Sequence, residues 1–214
     1  MAMGRPRAFD REAALDRAME VFWRKGYEGA TLAELTRTMG INPPSLYAAF
    51  GNKEGLFTAA LDRYSARIES YLADILAAPT AREVVSRMLH GKADYLTDPA
   101  NPPGCLYVQG GLACGDDAKN VPAELARRRA RAEVALCERF ERAAAEGDHL
   151  PPDAVPAVLA SLVTTLIQGM DVRASAGATR EDLHRLVDLA LAGLFPTAAA
   201  PNAPLRSSPL EGAA

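Results

Sequence analysis

Apolar residues recur every three or four positions along almost the entire chain, and no segment alternates with the two-residue period of a β-strand. Most periodic stretches follow a residue whose short side chain can cap a helix N-terminus. These predicted N-caps are Asp10, Thr31, Asn42, Asn52 and Thr80. Thr31 and Thr80 are each followed three residues later by glutamate, the pattern of a capping box. The sequence predicts an all-α protein of about nine helices, three of them short and within the first fifty residues.

Composition excludes several classes of protein. Hydrophobic residues make up 49% of the 214 residues and charged residues 24%, so the chain can bury a full-sized core. The three cysteines show no CxxC spacing, which disfavours a zinc site or a disulfide framework and fits a reducing cytosol. The first residues lack an apolar signal-peptide core, so we expect a cytoplasmic protein. We expect no cofactor and no bound metal.

An uncharged stretch at residues 154–170 approaches the length of a membrane span. It contains a proline and several polar residues, and it lies between segments with ordinary charged faces. We therefore expect a buried or interface helix in a soluble protein that makes no membrane contact.

Residues 31–50 show the pattern of a helix-turn-helix, with Gly40 in the turn. Four apolar side chains are spaced to face the first helix: Leu35, Ile41, Leu46 and Phe50. Four others point outward: Asn42, Ser45, Tyr47 and Ala48. Because small helical bundles also produce this pattern, the particular residues must decide whether it indicates DNA binding.

The run GATLAELTRTMGINPPSLYAAFGNKEGLFTAAL resembles the DNA-binding region of the TetR family of transcriptional regulators. The resemblance covers about residues 5–63 and is strongest at Ser45-Leu46-Tyr47, at Phe50 and at Lys53 with its following glutamate. It implies a homodimer in which three N-terminal helices bind double-stranded operator DNA. A fourth, long helix then joins them to an all-helical domain with a small-molecule pocket, and the last two helices form a four-helix dimer bundle.

On this basis we divide the chain into three parts. Residues 1–51 form the predicted helix-turn-helix DNA-binding domain, and residues 52–195 form the predicted ligand-binding and dimerisation domain. The tail at 196–214 has too few apolar residues to pack, and we expect it to be disordered.

The resemblance implies DNA contacts at particular residues. Tyr47 and Lys53 would contact phosphates, as would backbone amides at the helix start after Thr31. Five residues of the third helix would meet base edges: Asn42, Pro43, Pro44, Ser45 and Ala48. Arg5, Arg7 and Arg11 form a basic arm that would reach a neighbouring groove, unless Arg5 and Arg7 serve only solubility. No residue from 41 to 51 is charged, so the bidentate contact of arginine with guanine is absent from this helix.

The C-terminal helices carry wide apolar stripes, at residues 153–175 and 179–195. Such stripes arise from burial within a monomer, but the resemblance favours a dimer interface. Its predicted residues are Val158, Leu162, Leu166, Leu186 and Ala190. Six residues are candidates for lining a ligand pocket, with ordinary core packing as the alternative for each: Met88, Tyr95, Cys105, Tyr107, Phe140 and Met170.

The leading interpretation is a transcriptional regulator, a repressor that a small-molecule inducer releases from DNA as the helix at residues 52–77 tilts. One alternative is a helical binding protein that has lost operator recognition. Another is a thiol-based sensor of oxidants or electrophiles, because Cys105 stands at a predicted helix N-terminus, which favours the thiolate. The three histidines form no metal or catalytic motif, so we expect no enzyme activity.

Overall fold

A computed structural model describes residues 9–110, 118 and 120–196. Regular structure within these residues is entirely helical, which confirms the predicted all-α class. The helices are α1 (Arg11–Gly29), α2 (Leu32–Met39), α3 (Pro43–Phe50), α4 (Lys53–Leu76), α5 (Ala81–Leu96), α6 (Leu106–Gln109), α7 (Asn120–Ala145), α8 (Pro156–Ser175) and α9 (Arg180–Leu194). Arg5, Arg7, Cys114 and the tail after residue 196 lie outside the described residues.

The first two helices begin and end where the sequence indicates. Asp10 Oδ1 accepts hydrogen bonds from the N–H groups of Glu12 and Ala13, each at 3.1 Å. Gly26, at a φ of +70°, interrupts the helical backbone at the predicted stop, although one more helical turn follows. Gly40 closes α2 in the left-handed conformation, which glycine adopts without steric cost.

Helices α2 and α3 pack on α1 as a helix-turn-helix. The four apolar residues predicted to face the first helix all belong to one core with it: Leu35, Ile41, Leu46 and Phe50. Pro43 occupies the first position of α3, where its missing N–H leaves no hydrogen bond unmade.

Three details of the helix starts differ from the sequence-based expectation. Thr31 and Thr80 cap α2 and α5, but the structure identifies the reciprocal capping box at α9 instead, between Thr179 and Asp182. Hydrogen bonds from the side chain and then the backbone of Thr179 help to lower the pKa of Asp182 to about 2. Helix α8 begins at Pro156 rather than at residue 153, because Asp153 adopts a φ of 58° within a turn.

The buried side chains form two cores. The first joins α1–α3 to the N-terminal half of α4, to α6 and to the start of α7. The second joins α5, α8 and α9 to the C-terminal half of α7 and the end of α4. The predicted domain boundary at residue 51 therefore cuts through the first core, because helix-turn-helix residues share that core with Leu106 of α6 and Leu125 of α7.

Helix α8 is, among the described residues, the one helix long and apolar enough to cross a membrane by length and composition. It packs against α5 and α7, and its inner face is buried through Leu159, Val163 and Met170. A core helix of a folded protein meets the same length criterion. Its outer face remains apolar and exposed.

Candidate nucleic-acid interface and ligand cavity

The outward face of α3 is accessible at most of the predicted positions. Tyr47 is 47% exposed. Four more of the predicted DNA-contacting residues are also exposed, namely Asn42, Pro43, Pro44 and Ala48, whereas Ser45 is half-buried. The structure thus brings the predicted base-reading residues to one surface.

Two of the predicted DNA-contacting side chains already have a structural role. Asn42 Oδ1 accepts the N–H of Ser45 at 2.9 Å, and Thr31 Oγ1 accepts the N–H of Glu34 at 3.2 Å. The Asn42 oxygen is thereby engaged, and its amide Nδ2 is the group left for a base edge. The predicted N-cap position of Asn42 already implies that its side-chain oxygen bonds to the backbone of α3.

Two cations lie against aromatic rings at the edges of this surface. Lys53 Nζ lies 4.4 Å from the ring centroid of Tyr27, and the guanidinium of Arg11 lies 4.8 Å from that of Phe50. These contacts hold positive charge beside the start of α4 and the end of α3. The sequence placed Arg11 with Arg5 and Arg7 in a basic arm before the first helix, whereas the structure places Arg11 in the first turn of α1.

A cavity of about 210 Å³ lies among α4, α5, α6, α7 and α8. Four of the six predicted pocket residues line it: Met88, Tyr95, Cys105 and Tyr107. Phe140 and Met170 do not, which corrects that part of the prediction. Both are fully buried in the second core, because their helical positions face the interior.

Several polar groups in and beside the cavity are paired with one another, whereas the hydroxyl of Tyr95 is buried without a hydrogen-bond partner. Lys92 Nζ forms an ion pair with Asp171 Oδ1 at 2.8 Å, and their side chains are only 15% and 2% exposed. The hydroxyls of Ser65 and Tyr107 share a hydrogen bond of 2.6 Å, and Arg128 Nη1 donates to Ser65 Oγ at 2.8 Å. These residues come from five different helices, so sequence spacing could not bring them together.

Burial and neighbouring charges keep three tyrosine hydroxyls around the cavity neutral and the amine of Lys92 charged. Burial raises the pKa of Tyr64, Tyr95 and Tyr107, so these phenols stay protonated at neutral pH. Burial also acts to lower the pKa of Lys92, but that pKa lies above its usual value, raised in part by the charge of Asp171 and its hydrogen bond with the amine.

The segment that lines one side of the cavity is hydrogen-bonded directly to α1. Trp23 Nε1 donates to the carbonyl of Gly104 at 3.0 Å, and the N–H of Tyr27 donates to the carbonyl of Gly110 at 3.2 Å. Gly104 adopts a φ of +82° to make this approach. Tyr107 of α6 lines the cavity, and the residues on either side of α6 bond to α1. The segment around this short helix therefore connects the cavity to the helix-turn-helix.

The outer faces of α8 and α9 expose large apolar side chains. Of the predicted interface residues, Val158 and Leu162 are exposed, and three others are half-buried: Leu166, Leu186 and Ala190. Leu189, which was not predicted, is 77% exposed on α9. The two helices therefore present an apolar surface that the single chain leaves uncovered.

Comparison with known proteins agrees with this architecture. Residues 14–60 match the family model described as bacterial regulatory proteins, tetR family. The chain is 36% identical over 203 residues to the HTH-type transcriptional repressor ComR of Escherichia coli K12, covering 88% of this chain and 90% of ComR. It is 40% identical to the repressor BdcR of the same strain, over 50% of this chain and 55% of BdcR.

The structural match is equally extensive. The TetR family transcriptional regulator CifR, solved as a cysteine mutant with 26-base-pair operator DNA, superposes with a TM-score of 0.85. It is 43% identical, and the match covers 89% of this chain and all of that one. These similarities confirm the resemblance inferred from residues 5–63 and extend it across the C-terminal helices. The chain therefore belongs to the tetR family of bacterial regulatory proteins and is a DNA-binding transcriptional regulator rather than an enzyme.

Proposed function

We propose that the protein is a cytoplasmic repressor that binds a near-palindromic operator as a homodimer and releases it when a small molecule fills the cavity. The observation that carries this proposal is the double role of residues 104–110 around α6, which line the cavity and accept hydrogen bonds from α1. Support also comes from ComR and BdcR, which are named repressors, and from CifR, which binds operator DNA.

The coupling we propose is mechanical. A ligand among α4, α5 and α8 contacts Tyr107 and Cys105, and a shift of their segment is transmitted through the Gly104 and Gly110 carbonyls to α1. Helix α4 lines the same cavity through Ile68 and would tilt with it. The dimer would thus have two conformations that differ in the separation of its two α3 helices. DNA would favour one conformation and the ligand the other.

The phosphate role of Lys53 can be tested by salt titration. Lys53→Ala should weaken operator binding similarly across sequences and lower the slope of log affinity against log salt by about one unit, because one phosphate contact is lost. Fluorescence anisotropy with a duplex recovered by selection from random sequence measures both quantities. The recovered site should have half-sites about one helical turn apart, or a small multiple of it.

Two variants serve as controls for this measurement. Lys53→Arg keeps the charge and the contact with the Tyr27 ring, so its salt slope should match wild type. Asn42→Ser keeps a capping oxygen for α3 but removes the amide, and it should alter base preference rather than the slope. Unchanged affinity and slope in Lys53→Ala would show that this lysine does not bind phosphate.

The cavity favours reversible binding of an apolar or aromatic molecule. Its wall combines aliphatic side chains with the hydroxyls of three tyrosines: Tyr71, Tyr95 and Tyr107. Protonated phenols and the paired Lys92 offer hydrogen bonds that orient a ligand, and the aliphatic groups supply the burial of apolar surface.

Thiol sensing through Cys105 is the competing mechanism. Cys105 lines the cavity, but it is only 5% exposed and its sulfur accepts a hydrogen bond from Tyr64 at 3.4 Å. We expect Cys105→Ser to keep DNA binding, because a serine of similar size can accept the same bond. The cysteine-substituted CifR also retains its operator DNA, which supports this expectation.

The experiment measures operator binding before and after mild peroxide or a thiol-alkylating agent. Wild type and Cys105→Ser should respond alike. Cys137→Ser is the matched control: burial and the neighbouring Glu141 raise the pKa of the Cys137 thiol, so that it reacts slowly. If treatment releases wild type and Cys137→Ser from DNA but leaves Cys105→Ser bound, Cys105 is the switch and the non-covalent mechanism is wrong.

A further inference from the structure

The cavity wall draws on both buried cores, and the two contributions differ in chemistry. The polar wall residues that belong to a core all come from the first core: Tyr95, Cys105 and Tyr107. The second core supplies only apolar side chains to the wall: Leu72, Ile75, Met88 and Ile167. The cavity therefore has a polar side towards α6 and an apolar side between α4, α5 and α8, which suits a ligand with one polar end.

The wall of the cavity carries more positive than negative charge. Its cationic side chains belong to Arg67, Lys92, Arg128 and Arg129. Among the described residues its one carboxylate belongs to Asp171, which forms the ion pair with Lys92. Three arginines of the wall therefore have no counterion within the described wall itself.

One of these three arginines is balanced from outside the cavity. The Nε and Nη2 atoms of Arg128 donate to Glu124 and Asp62, at 2.6 Å each, and its Nη1 atom donates to Ser65. The side chain is only 5% exposed. Every nitrogen of this guanidinium thus has an acceptor within the protein, and its charge is offset by two carboxylates.

Arg67 and Arg129 carry the positive charge that remains. Arg129 Nη1 donates to the backbone carbonyl of Tyr107, which holds the guanidinium beside α6. In the part of the chain that the structure describes, neither arginine forms an ion pair with a carboxylate. A guanidinium presents five N–H donors in a planar fork that matches a carboxylate. The two arginines, on α4 and α7, therefore give the cavity donors and charge suited to an anion.

A buried hydroxyl adds one more donor that the described chain leaves unused. The Tyr95 hydroxyl is buried, and no described group forms a hydrogen bond with it. Burial raises its pKa, against the opposing effects of Tyr64 and of the positive charges of Lys92 and Arg67, so the phenol keeps its proton at neutral pH. A buried donor without a partner is unfavourable, and an acceptor on a ligand would remove that cost.

We propose that the small molecule that fills the cavity is an organic acid whose carboxylate lies among Arg67, Arg129 and Tyr95, with its apolar body against Met88 and Ile167. This inference rests on the proposed function, because it names the chemical class of the releasing ligand. The cavity volume of about 210 Å³ limits its size. Because an apolar cavity of about 150 Å³ holds benzene, a single ring or a short alkyl chain with one carboxylate fits.

A carboxylate at Arg129 is connected directly to the DNA-binding end of the protein. The guanidinium that holds it also bonds to the Tyr107 carbonyl of α6. The segment around α6 in turn accepts the hydrogen bonds of Trp23 and Tyr27 from α1. A ligand that displaces the Arg129 guanidinium therefore acts on the segment through which the proposed signal passes.

The test compares matched acids and amides by isothermal titration calorimetry of the full chain at constant ionic strength. The probes are benzoate with benzamide, phenylacetate with phenylacetamide, and hexanoate with hexanamide. In at least one pair the acid should bind about ten- to a hundredfold more tightly than its amide, because only the acid accepts hydrogen bonds as an anion. If no acid in the panel binds more tightly than its amide, the proposal is wrong.

Arginine variants locate the carboxylate. Arg67→Gln and Arg129→Gln each remove one charge from a side chain that is at least half exposed to solvent or at the edge of the core, so both should fold. Each should weaken acid binding about tenfold and change amide binding little. Arg131→Gln, at an exposed arginine of α7 outside the cavity wall, is the matched control and should bind the acid as wild type does. Tyr95→Phe should weaken acid binding without destabilising the free protein, because it removes an unpaired hydroxyl.

Operator binding with the same probes separates this inference from the proposed function. Release of DNA by an acid but not by its amide supports both. An acid that binds through Arg67 and Arg129 but leaves the DNA bound supports the acid site and contradicts ligand-induced release. Unchanged acid affinity in both arginine variants overturns the acid site, and DNA release by an amide would then still support the proposed function.

Discussion

Leu162→Glu should convert the dimer into a monomer at micromolar concentration and abolish operator binding. Leu162 is 42% exposed on the outer face of α8, next to the exposed Val158. In the proposed twofold interface each Leu162 meets an apolar surface of the other copy, so a glutamate there buries an unpaired charge. This costs several kcal/mol per site, which raises the dimer dissociation constant on the order of a thousandfold or more.

Sedimentation velocity measures the change, with Val134→Glu as the matched control. Val134 is also an exposed apolar residue, but it lies on α7, so this variant should remain a dimer. The near-palindromic operator would bind Val134→Glu as it binds wild type. A wild-type chain that sediments as a monomer at this concentration would refute the interface on α8 and α9.

Asp171→Leu should lower the free energy of unfolding by about 3–5 kcal/mol, because it leaves the buried ammonium of Lys92 without its carboxylate partner. In a chain of this size the loss corresponds to a fall in melting temperature on the order of 10 °C. Adding Lys92→Met to Asp171→Leu should restore most of the stability, since an apolar pair of similar volume replaces the ion pair. Urea unfolding followed by circular dichroism measures all three proteins.

An exposed ion pair provides the control for this comparison. Glu181 and Arg185 lie one turn apart on α9, 3.8 Å from each other, and both are largely exposed. Glu181→Leu should therefore change stability by less than about 1 kcal/mol. If Asp171→Leu were no more destabilising than Glu181→Leu, water would reach the Lys92 ammonium in the folded protein, and the ion pair would not be buried as described.

The helical fold could be predicted from the sequence because its signals are local. Asp10, Asn42 and Asn52 cap the helices that the sequence assigns to them, and Gly26 and Gly40 interrupt or end helices where expected. Each cap depends on a side chain that bonds to backbone two or three residues away, and each glycine acts through its own positive φ. The start of α8 was placed at residue 153, whereas the helix begins at Pro156, where proline occupies the first turn.

The sites could be predicted only in part, because they depend on contacts between distant residues. Tyr95 and Tyr107 are pocket candidates by side-chain type and both line the cavity, while their contact with a ligand stays a prediction. The same criterion wrongly selected Phe140, since side-chain type does not tell which helix face meets a cavity. Nothing near Lys92 in the sequence indicates Asp171, and nothing near His90 indicates His184, although the Nδ1 atoms of these two histidines lie 2.7 Å apart. Both pairs exist only once α5 packs against α8 and α9.

Joining residues 1–51 of this chain to the C-terminal part of another regulator would cut two hydrogen bonds. Trp23 and Tyr27 donate to carbonyls in the segment around α6, so a transplanted helix-turn-helix would lose both acceptors. The buried indole N–H would be left unpaired, at a cost of about 1–3 kcal/mol. A chimera that carries residues 104–125 together with residues 1–64 keeps the shared core intact. Exchange of operator specificity between such regulators therefore requires a discontinuous graft rather than a simple N-terminal cassette.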